Sequence, residues 1–230
     1  MTDIHTHVLP CVDDGSPSVE KSLTMLEKEA ENGITRVVLT PHLRERFNAS
    51  AAQLKQAFDE FNALKNERGV PVELFLGQEL YYDNDLLFKV QNGEALTLAG
   101  GKYVLLEFST VKYCEVTEAV YKFLKAGYIP VVAHLERYGY LTYADAYEIK
   151  ELGGLIQVNA ESVYGKNRAV KIATRNLFRS GLVDFVASDC HCFRENYMAK
   201  AYGVVKRRYG EEVARKVFAD NANAIIEAAR

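Results

Sequence analysis

The chain has 230 residues, a hydrophobic fraction of 48% and a formal net charge of −3. This length and apolar content are sufficient for a substantial hydrophobic core. The slightly acidic balance excludes the strongly basic surface by which many proteins bind nucleic acid or anionic membranes. No Pro-, Gly- or Ser-rich linker interrupts the sequence, so we predict a single domain over residues 1–230.

Short apolar runs rich in β-branched residues alternate with amphipathic stretches along the chain. Seven runs are predicted to be strands: Met1–Ile4, Arg36–Thr40, Val72–Leu76, Tyr103–Glu107, Ile129–Ala133, Leu155–Asn159 and Val183–Ala187. Six segments are predicted to be helices: Pro17–Asn32, Ser50–Arg68, Val116–Ala126, Tyr143–Leu152, Ala169–Ser180 and Tyr197–Tyr209. Ser16 is the expected cap of the first helix, with Pro17 in its first turn and Gly33 as its stop.

Alternating strands and helices are typical of a parallel sheet, which is either an open doubly wound sheet or a closed barrel. An open sheet gathers its functional residues at one switch point, whereas a barrel takes them from the ends of many strands. In this sequence, polar residues follow nearly every predicted strand. We therefore predict an α/β fold, a distorted (β/α)7 barrel similar to the TIM barrel.

All five histidines lie at, or just beyond, the carboxyl ends of predicted strands: His5, His7, His42, His134 and His191. Three acidic residues occupy the same level: Glu79, Glu107 and Asp189. A single histidine at such a place is usually an ordinary core or loop residue. Histidines placed for structural reasons alone should also occur on helix faces, but none of these five lies on the face of a predicted helix. In a barrel these side chains would meet at one face, which predicts a metal site there.

The spacing and chemistry of these residues suit a metal ion. His5 and His7 are two residues apart on an extended segment, so both rings can point at one ion, and Asp189 and His191 repeat the spacing. Glu107 ends an apolar strand, where a carboxylate needs a cation or strong donors to offset its desolvation. Imidazole and carboxylate ligands without thiolates suit Mn, Fe or Zn.

Together these residues resemble the PHP (polymerase and histidinol phosphatase) superfamily. More closely, they resemble the manganese-dependent protein-tyrosine phosphatases of Gram-positive bacteria that act on capsule-regulating tyrosine kinases. The matching stretches occur in order along most of the chain: DIHTHVLPCVDDGS, TPHLR, GQELYY, LLEFS, PVVAHLERY, QVNAES and ASDCH. The resemblance implies a barrel of seven βα units that holds three divalent metal ions, Mn in preference to Fe or Zn.

The resemblance also implies how the ligands are shared. One ion would be bound by His5, His7, Glu79 and Asp189. A second would be bound by Glu79, Glu107 and His134, with Glu79 bridging the two ions. The third would be bound by Asp14, His42 and His191. Asp13 could replace Asp14, because the two carboxylates are adjacent, and Asp3 would orient a ligand histidine.

Three divalent ions and four ligand carboxylates would leave a net positive charge, which suits a phosphomonoester dianion. Arg137 is expected to bind the phosphate, the alternative being a salt bridge with Glu136 or another nearby acid. The family has a second phosphate-binding arginine beyond the SDxH motif, and Arg194 in CFREN is its counterpart, although it comes unusually early. Arg44 and Arg46 are further candidates for phosphate binding. The equally weighted alternative is that they are solvated charges on a loop.

The cysteines do not support a thiol mechanism. We expect four free thiols: Cys11, Cys114, Cys190 and Cys192. None has an arginine six residues later, so the C-x5-R motif of cysteine-dependent tyrosine phosphatases is absent. The reaction that the resemblance implies is attack on phosphotyrosine by a hydroxide that bridges two metal ions. Tyr81, Tyr82 and Tyr113 follow strand ends and are candidates for the border of the site.

The expected function is dephosphorylation of a bacterial tyrosine kinase that controls capsule or exopolysaccharide synthesis. The alternative is a PHP phosphatase for a small phosphomonoester such as histidinol phosphate; a metal-dependent hydrolase of another class and a non-catalytic metal-stabilised domain are the remaining rivals. The sequence begins without the basic and apolar regions of a signal peptide and contains no long apolar span. It therefore predicts a cytoplasmic protein without membrane insertion or nucleic-acid binding, and is compatible with an oligomer.

Overall fold

The computed structural model describes residues 1–165 and 167–229. Its strands are β1 Thr2–Thr6, β2 Arg36–Leu39, β3 His42–Leu43, β4 Glu73–Leu76, β5 Glu79–Tyr81, β6 Tyr103–Glu107, β7 Ile129–Val132, β8 Leu155–Asn159 and β9 Phe185–Ala187. All seven predicted strands are present. The short β3 and β5 were not predicted; each begins three residues after the preceding strand ends.

Ten α-helices occur in the described residues. They are α1 Val19–Glu31, α2 Ala51–Glu67, α3 Leu86–Gln91, α4 Val116–Lys125, α5 Tyr143–Leu152, α6 Ala160–Tyr164, α7 Arg168–Arg179, α8 Met198–Tyr209, α9 Glu211–Arg215 and α10 Asn221–Glu227. The six predicted helices are confirmed to within two residues at each end. Of the four that were missed, α3 and α6 are at most six residues long, too short for a clear helical period. Helices α9 and α10 are joined by a π-helical turn, Lys216–Asp220, into one continuous helical segment that the sequence analysis did not predict.

The start of α1 corrects one prediction. Ser18 is the cap, since its side chain accepts a hydrogen bond from the Lys21 N–H at 3.2 Å. The Ser16 hydroxyl instead donates to the Ser18 carbonyl oxygen at 3.1 Å, and Pro17 precedes the helix. Gly33 follows the helix end with a φ of 77°, the left-handed conformation that terminates many helices.

All strand pairings are parallel. One sheet has the order β1-β2-β4 and the other has the order β3-β5-β6-β7-β8-β9. Because β3 and β5 follow β2 and β4 almost directly, the two sheets form one curled wall. The wall closes where the His7 N–H donates to the Cys190 carbonyl at 3.0 Å and the Asp189 N–H donates to the His5 carbonyl at 2.9 Å. The predicted α/β class and distorted barrel are confirmed.

The inside of the barrel is apolar at its amino-terminal end. A small buried cluster there comprises Ile4, Val38, Leu98, Leu105, Val131, Ala133, Phe185, Ala187, Ala222, Ile225 and Ile226. Helix α10 contributes Ile225 and Ile226 to this cluster. On β6, Glu107 lies two residues beyond Leu105 and therefore on the same face of the strand. The apolar filling thus gives way to a carboxylate at the carboxyl end of the barrel.

Candidate metal centre

The predicted metal ligands meet at the carboxyl ends of the strands. They are His5, His7, Asp14, His42, Glu79, Glu107, His134, Asp189 and His191. Eight of them are buried, and only Asp14 is substantially exposed, with 44% of its side chain accessible. Two stand on a strained backbone, since His134 has a φ of 34° and Asp189 a φ of 49°. Such left-handed conformations cost non-glycine residues about 1–3 kcal/mol and cluster at functional sites.

Glu79 occupies the middle of the centre. Its Oε1 lies 3.2 Å from His5 Nε2 and 3.0 Å from His134 Nε2. Its Oε2 lies 3.3 Å from His7 Nε2 and 2.7 Å from His42 Nδ1. One carboxylate therefore touches four histidines that come from three different parts of the chain.

Asp189 and Glu107 lie on two sides of Glu79. Asp189 Oδ1 is 3.8 Å from His5 Nε2 and 3.6 Å from His7 Nε2. Glu107 Oε1 is 3.9 Å from His134 Nε2, and its Oε2 is 3.6 Å from His42 Nδ1. His42 therefore approaches the group predicted for the second ion as well as the group predicted for the third.

Asp13 and Asp14 have different surroundings. Asp14 Oδ1 is 3.5 Å from His42 Nε2 and 3.6 Å from His191 Nε2, so it faces the pair predicted for the third ion. Asp13 is buried and accepts hydrogen bonds from His7 Nδ1 at 2.7 Å and from the His42 N–H at 3.0 Å. Burial alone would raise the pKa of Asp13, but the charge and hydrogen bond of His7 lower it to about 2. Asp13 thus holds the ring of His7.

The donor atoms fit divalent metal ions. Because metal–donor distances are about 2.0–2.2 Å, two ligands of one ion are expected about 3–4 Å apart, as these are. Buried polar atoms without a hydrogen-bond partner include Glu79 Oε2, His42 Nδ1, Glu107 Oε2 and His134 Nδ1. The first two lie 2.7 Å apart without hydrogen-bond geometry, so a cation is the natural partner for such atoms.

Four sets of three donors lie within 4.8 Å of one another: His7, His42 and His191; His5, Glu79 and His134; His5, His7 and Asp189; and His42, Glu79 and Glu107. The third set is part of the predicted first ligand group. Each of the other three sets combines donors from two of the predicted groups. The reason is that Glu79, His7 and His42 each lie close to donors of more than one group.

Two residues that hold the ligands were given no role in the sequence analysis. The Gln157 side-chain oxygen accepts a hydrogen bond from His5 Nδ1 at 3.1 Å and from the His134 N–H at 2.8 Å. Asn159 Nδ2 donates to Asp189 Oδ2 at 2.8 Å, and Gln157 Nε2 donates to Asn159 Oδ1 at 2.8 Å. Hydrogen bonds of this kind orient metal ligands. The sequence feature that could have indicated this role is the pair of polar residues at alternate positions of the otherwise apolar run LIQVN.

Asp3 acts on the backbone instead of on a histidine ring. Its Oδ1 accepts hydrogen bonds from the His5 N–H at 3.2 Å and from the Ser188 N–H at 3.1 Å. Burial raises the pKa of Asp3 to about 6. The ring of His5 is held by Gln157, so Asp3 joins β1 to the end of β9 where the barrel closes.

The electrostatics of the protein without metal show crowding of like groups. Burial and the nearby Glu79 carboxylate raise the pKa of Glu107 to about 8. Burial and the charge of His7 lower the pKa of His191 to about 4. His191 Nδ1 donates to the Asp189 carbonyl oxygen at 3.1 Å, which leaves Nε2 with a free lone pair. Neutral imidazole with its lone pair directed inward is the form that binds a metal ion.

The two predicted phosphate-binding arginines lie together at the edge of the centre. Arg194 Nη1 is 2.8 Å from Asp189 Oδ2, and Arg137 Nη1 is 3.5 Å from the same oxygen. The alternative of a salt bridge with a nearby acid is therefore found for Arg137, with Asp189 as the partner. Glu136 is not that partner, since its Oε1 accepts from the Asn159 N–H. Both arginines are partly exposed, so each has donors free for a ligand.

Of the remaining candidates, Arg44 reaches the centre. Its Nη2 is 3.3 Å from Asp14 Oδ2 and its Nη1 is 3.9 Å from Glu107 Oε2. Arg46 is exposed and lies over the ring of Phe47. Arg44 therefore borders the Asp14 side of the centre, whereas Arg46 belongs to the surface.

The predicted tyrosines are peripheral, and the cysteines are unpaired. Tyr82 packs on Phe108, and the exposed Tyr113 packs on Tyr140. Tyr81 is half-buried at the end of β5. The prediction of free thiols is confirmed for all four cysteines.

A family model described as "Capsular polysaccharide synthesis, CpsB/CapC" matches residues 1–227 of the chain. The chain belongs to this family. As a CpsB/CapC protein it is 32% identical to the tyrosine-protein phosphatase CpsB of Streptococcus agalactiae, and the match covers 99% of this chain and 98% of that protein. The predicted relationship to capsule-associated tyrosine phosphatases is thereby confirmed.

Solved structures agree with this assignment. The CpsB/CapC chain superimposes with a TM-score of 0.92 on a chain from the "crystal structures of YwqE from Bacillus subtilis and CpsB from Streptococcus pneumoniae, unique metal-dependent tyrosine phosphatases". The identity is 27%, and the match covers 99% of this chain and 95% of the other. Histidinol phosphate phosphatase from Lactococcus lactis has a TM-score of 0.58 at 13% identity over 93% of this chain and 92% of its own, a likeness of fold alone.

Proposed function

We propose that this protein is a metal-dependent protein-tyrosine phosphatase whose substrate is a bacterial tyrosine kinase that controls capsule or exopolysaccharide synthesis. The observation that carries the proposal is the buried group of histidines and carboxylates around Glu79, with two arginines at its edge. Membership of the CpsB/CapC family gives this chemistry its biological setting.

The proposed cofactor is a set of three divalent metal ions, Mn in the first place, with Fe or Zn as alternatives. The first ion takes His5, His7, Glu79 and Asp189. The second takes Glu79, Glu107 and His134. The third takes Asp14, His42 and His191. Short donor separations occur within each group, and Glu79 and His42 also lie close to donors of a neighbouring group.

Divalent ions bound here would supply positive charge for the phosphoryl oxygens and lower the pKa of water that attacks phosphorus. Arg137 and Arg194 would donate to the same oxygens, since guanidinium groups suit phosphate geometry. Asp189 holds both arginines on one side of the centre. Phenol has a pKa of about 10, so the tyrosine leaving group needs little help from a protein acid.

The proposed setting is the cytoplasm, with residues 1–230 as one catalytic domain. The close packing of the first strand against the end of β9 and against α10 supports one domain. None of the described helices is long and apolar enough to span a bilayer. A phosphotyrosine protein is the proposed partner, and its recognition calls for neither membrane insertion nor nucleic acid.

The test compares two substrates on one preparation. Protein stripped of metal and resupplied with Mn should hydrolyse a phosphotyrosine peptide in preference to histidinol phosphate. His191→Ala should lower the turnover of the peptide at least about 100-fold, because it removes a metal ligand. Circular dichroism and metal content of the variant distinguish lost ligation from lost folding. Preference for histidinol phosphate, or inactivity on every phosphomonoester, would refute the proposed function.

A further inference from the structure

A phenylalanine lies between a metal-ligand histidine and a phosphate-binding arginine. The Phe193 ring centroid is 5.3 Å from that of His191, and the Arg194 guanidinium carbon is 5.5 Å from the Phe193 centroid. The side chain of Phe193 is 67% exposed. Single exposed apolar side chains are common on proteins, so the informative feature is the place that this ring occupies.

A second phenylalanine has the matching position on the other histidine of the group predicted for the third ion. The Phe47 ring stacks on His42, with centroids 6.0 Å apart and an interplanar angle of 15°. The Arg44 guanidinium carbon lies 5.3 Å from the Phe47 centroid. Two backbone hydrogen bonds between Arg44 and Phe47, of 2.9 and 2.8 Å, form a tight turn that holds this ring in place.

Both rings stand where the centre opens to solvent. Most of its ligands are buried, whereas Asp14, Arg44, Arg137 and Arg194 are partly exposed and therefore mark the mouth. Each phenylalanine touches one of these arginines, so the rings belong to the rim of the mouth.

Another aromatic ring at the centre has a structural role. Tyr138 lies 5.7 Å from His134, but it is buried, and its hydroxyl oxygen accepts a hydrogen bond from the Phe108 N–H at 2.9 Å. A substrate could not reach this ring without opening the core. Phe193, by contrast, is exposed, and Phe47 is half-buried, with His42, Arg44 and Arg46 around its ring.

We propose that Phe193 and Phe47 form a subsite for the phenyl ring of phosphotyrosine, an inference that rests on the proposed function. A phosphate held by the metal ions, Arg137 and Arg194 places its ester oxygen at the mouth, and in phosphotyrosine that oxygen is bonded directly to the ring. The ring then packs on Phe193, with Phe47 as the second wall, at the centroid separations of about 4.5–7 Å that aromatic pairs favour. Phosphoserine and small alkyl phosphates lack this contact, so the subsite selects aryl esters.

The test separates the ring from the phosphate. In the Mn-loaded protein, Phe193→Ala and Phe47→Ala should each raise KM for a phosphotyrosine peptide about two- to tenfold, the effect of one aromatic contact. The inhibition constant of inorganic phosphate, which has no ring, should not change. Phe193→Tyr keeps an aromatic ring, so its KM should equal that of the wild type. Phe88→Ala on α3 is the matched control, because Phe88 is 63% exposed and is not one of the rings that contact His42 or His191.

Other outcomes overturn the subsite. If Phe193→Ala weakens inorganic phosphate as much as the peptide, Phe193 merely holds Arg194, and Arg194→Gln provides the reference for that effect. Unchanged KM values in both alanine variants, with a wild type active on phosphotyrosine, refute the subsite and leave the proposed function intact. A wild type that hydrolyses only alkyl phosphates refutes both.

Discussion

At the scale of single residues, the centre separates two neighbours that are chemically identical. Asp13 is buried and accepts hydrogen bonds from His7, from the Gly15 N–H at 2.9 Å and from the His42 N–H. Asp14 is half-exposed and faces His42, with Arg44 on its other oxygen. The first carboxylate therefore supports the fold, and the second is available to a ligand.

Substitution of each aspartate by asparagine tests this division. Asp13→Asn should lower the free energy of unfolding of the metal-free protein by about 2 kcal/mol, because it weakens charge-assisted hydrogen bonds in the interior. Asp14→Asn should change it by no more than about 0.5 kcal/mol, as expected for an exposed residue. Urea denaturation measures both, and metal analysis should show fewer bound ions in Asp14→Asn. The opposite order of stabilities would contradict the division.

The pH dependence of the same pair has a defined sign. The folded-state pKa of Asp13, about 2, is below the ordinary value of 3.8. The stabilisation is therefore present above pH 3.8 and is lost as the pH falls towards 2. The difference in the free energy of unfolding between wild type and Asp13→Asn should accordingly shrink below about pH 4.

At the scale of elements, strands and helices could be predicted because their apolar periods are local. The run LIQVN shows which features a hydrophobic period does not determine. It predicted β8 correctly, but it did not show that Gln157 and Asn159 would face His5 and Asp189. Those partners lie 152 and 30 residues away along the chain, so only strand order brings them together.

Helix α1 also carries a buried polar side chain, Glu29, and its burial costs more free energy than that of Gln157 and Asn159, because it lacks hydrogen bonds of good geometry. Glu29 is fully buried, and neither of its carboxylate oxygens makes a hydrogen bond of good geometry. Burial and the charge of Asp3 raise the pKa of Glu29 well above its ordinary value. The folded protein therefore favours protonated Glu29, whereas the unfolded chain ionises it near pH 4.5.

The contribution of Glu29 to the free energy of unfolding should consequently fall as the pH rises above 4.5. Glu29→Gln removes the contribution of Glu29 to this pH dependence, so the variant should unfold at a higher temperature than the wild type at pH 7.5, with the difference vanishing near pH 4. Glu31→Gln, an exposed acid on the same helix, is the control and should match the wild type throughout. Thermal melts across this range make the comparison, and parallel pH profiles for wild type and Glu29→Gln would disprove the assignment.

At the scale of the whole molecule, the centre depends on closure of the barrel. His7 and His191 lie 184 residues apart in the sequence, and their rings stack with centroids 4.2 Å apart because β1 is bonded to the segment that follows β9. Without cations, the buried carboxylates and imidazoles around Glu79 lack full compensation. Metal binding should therefore stabilise the entire fold and not only one loop.

Metal removal should show this coupling. A bound ion at 100 times its dissociation constant adds about 2.7 kcal/mol, which corresponds to a rise in Tm of roughly 5–10 °C for a domain of this size. Chelation should lower Tm by at least this amount, and Mn should restore it. Glu79→Gln should lose most of the Mn-dependent increase, because Glu79 contacts four histidines. A Tm that does not respond to chelator or Mn would exclude a buried metal centre.

The sequence by itself determined the seven βα units, the barrel and the level at which the polar residues gather, because hydrophobic period and strand-end position are properties of short segments. It could not separate Asp13 from Asp14, assign Gln157 to His5, or place Arg137 beside Arg194 on Asp189. Adjacent side chains in a turn are directed by backbone angles, and those angles depend on contacts such as the His42 N–H to Asp13 bond across 29 residues. Only the closed tertiary structure sets such contacts, and with them the geometry of the centre.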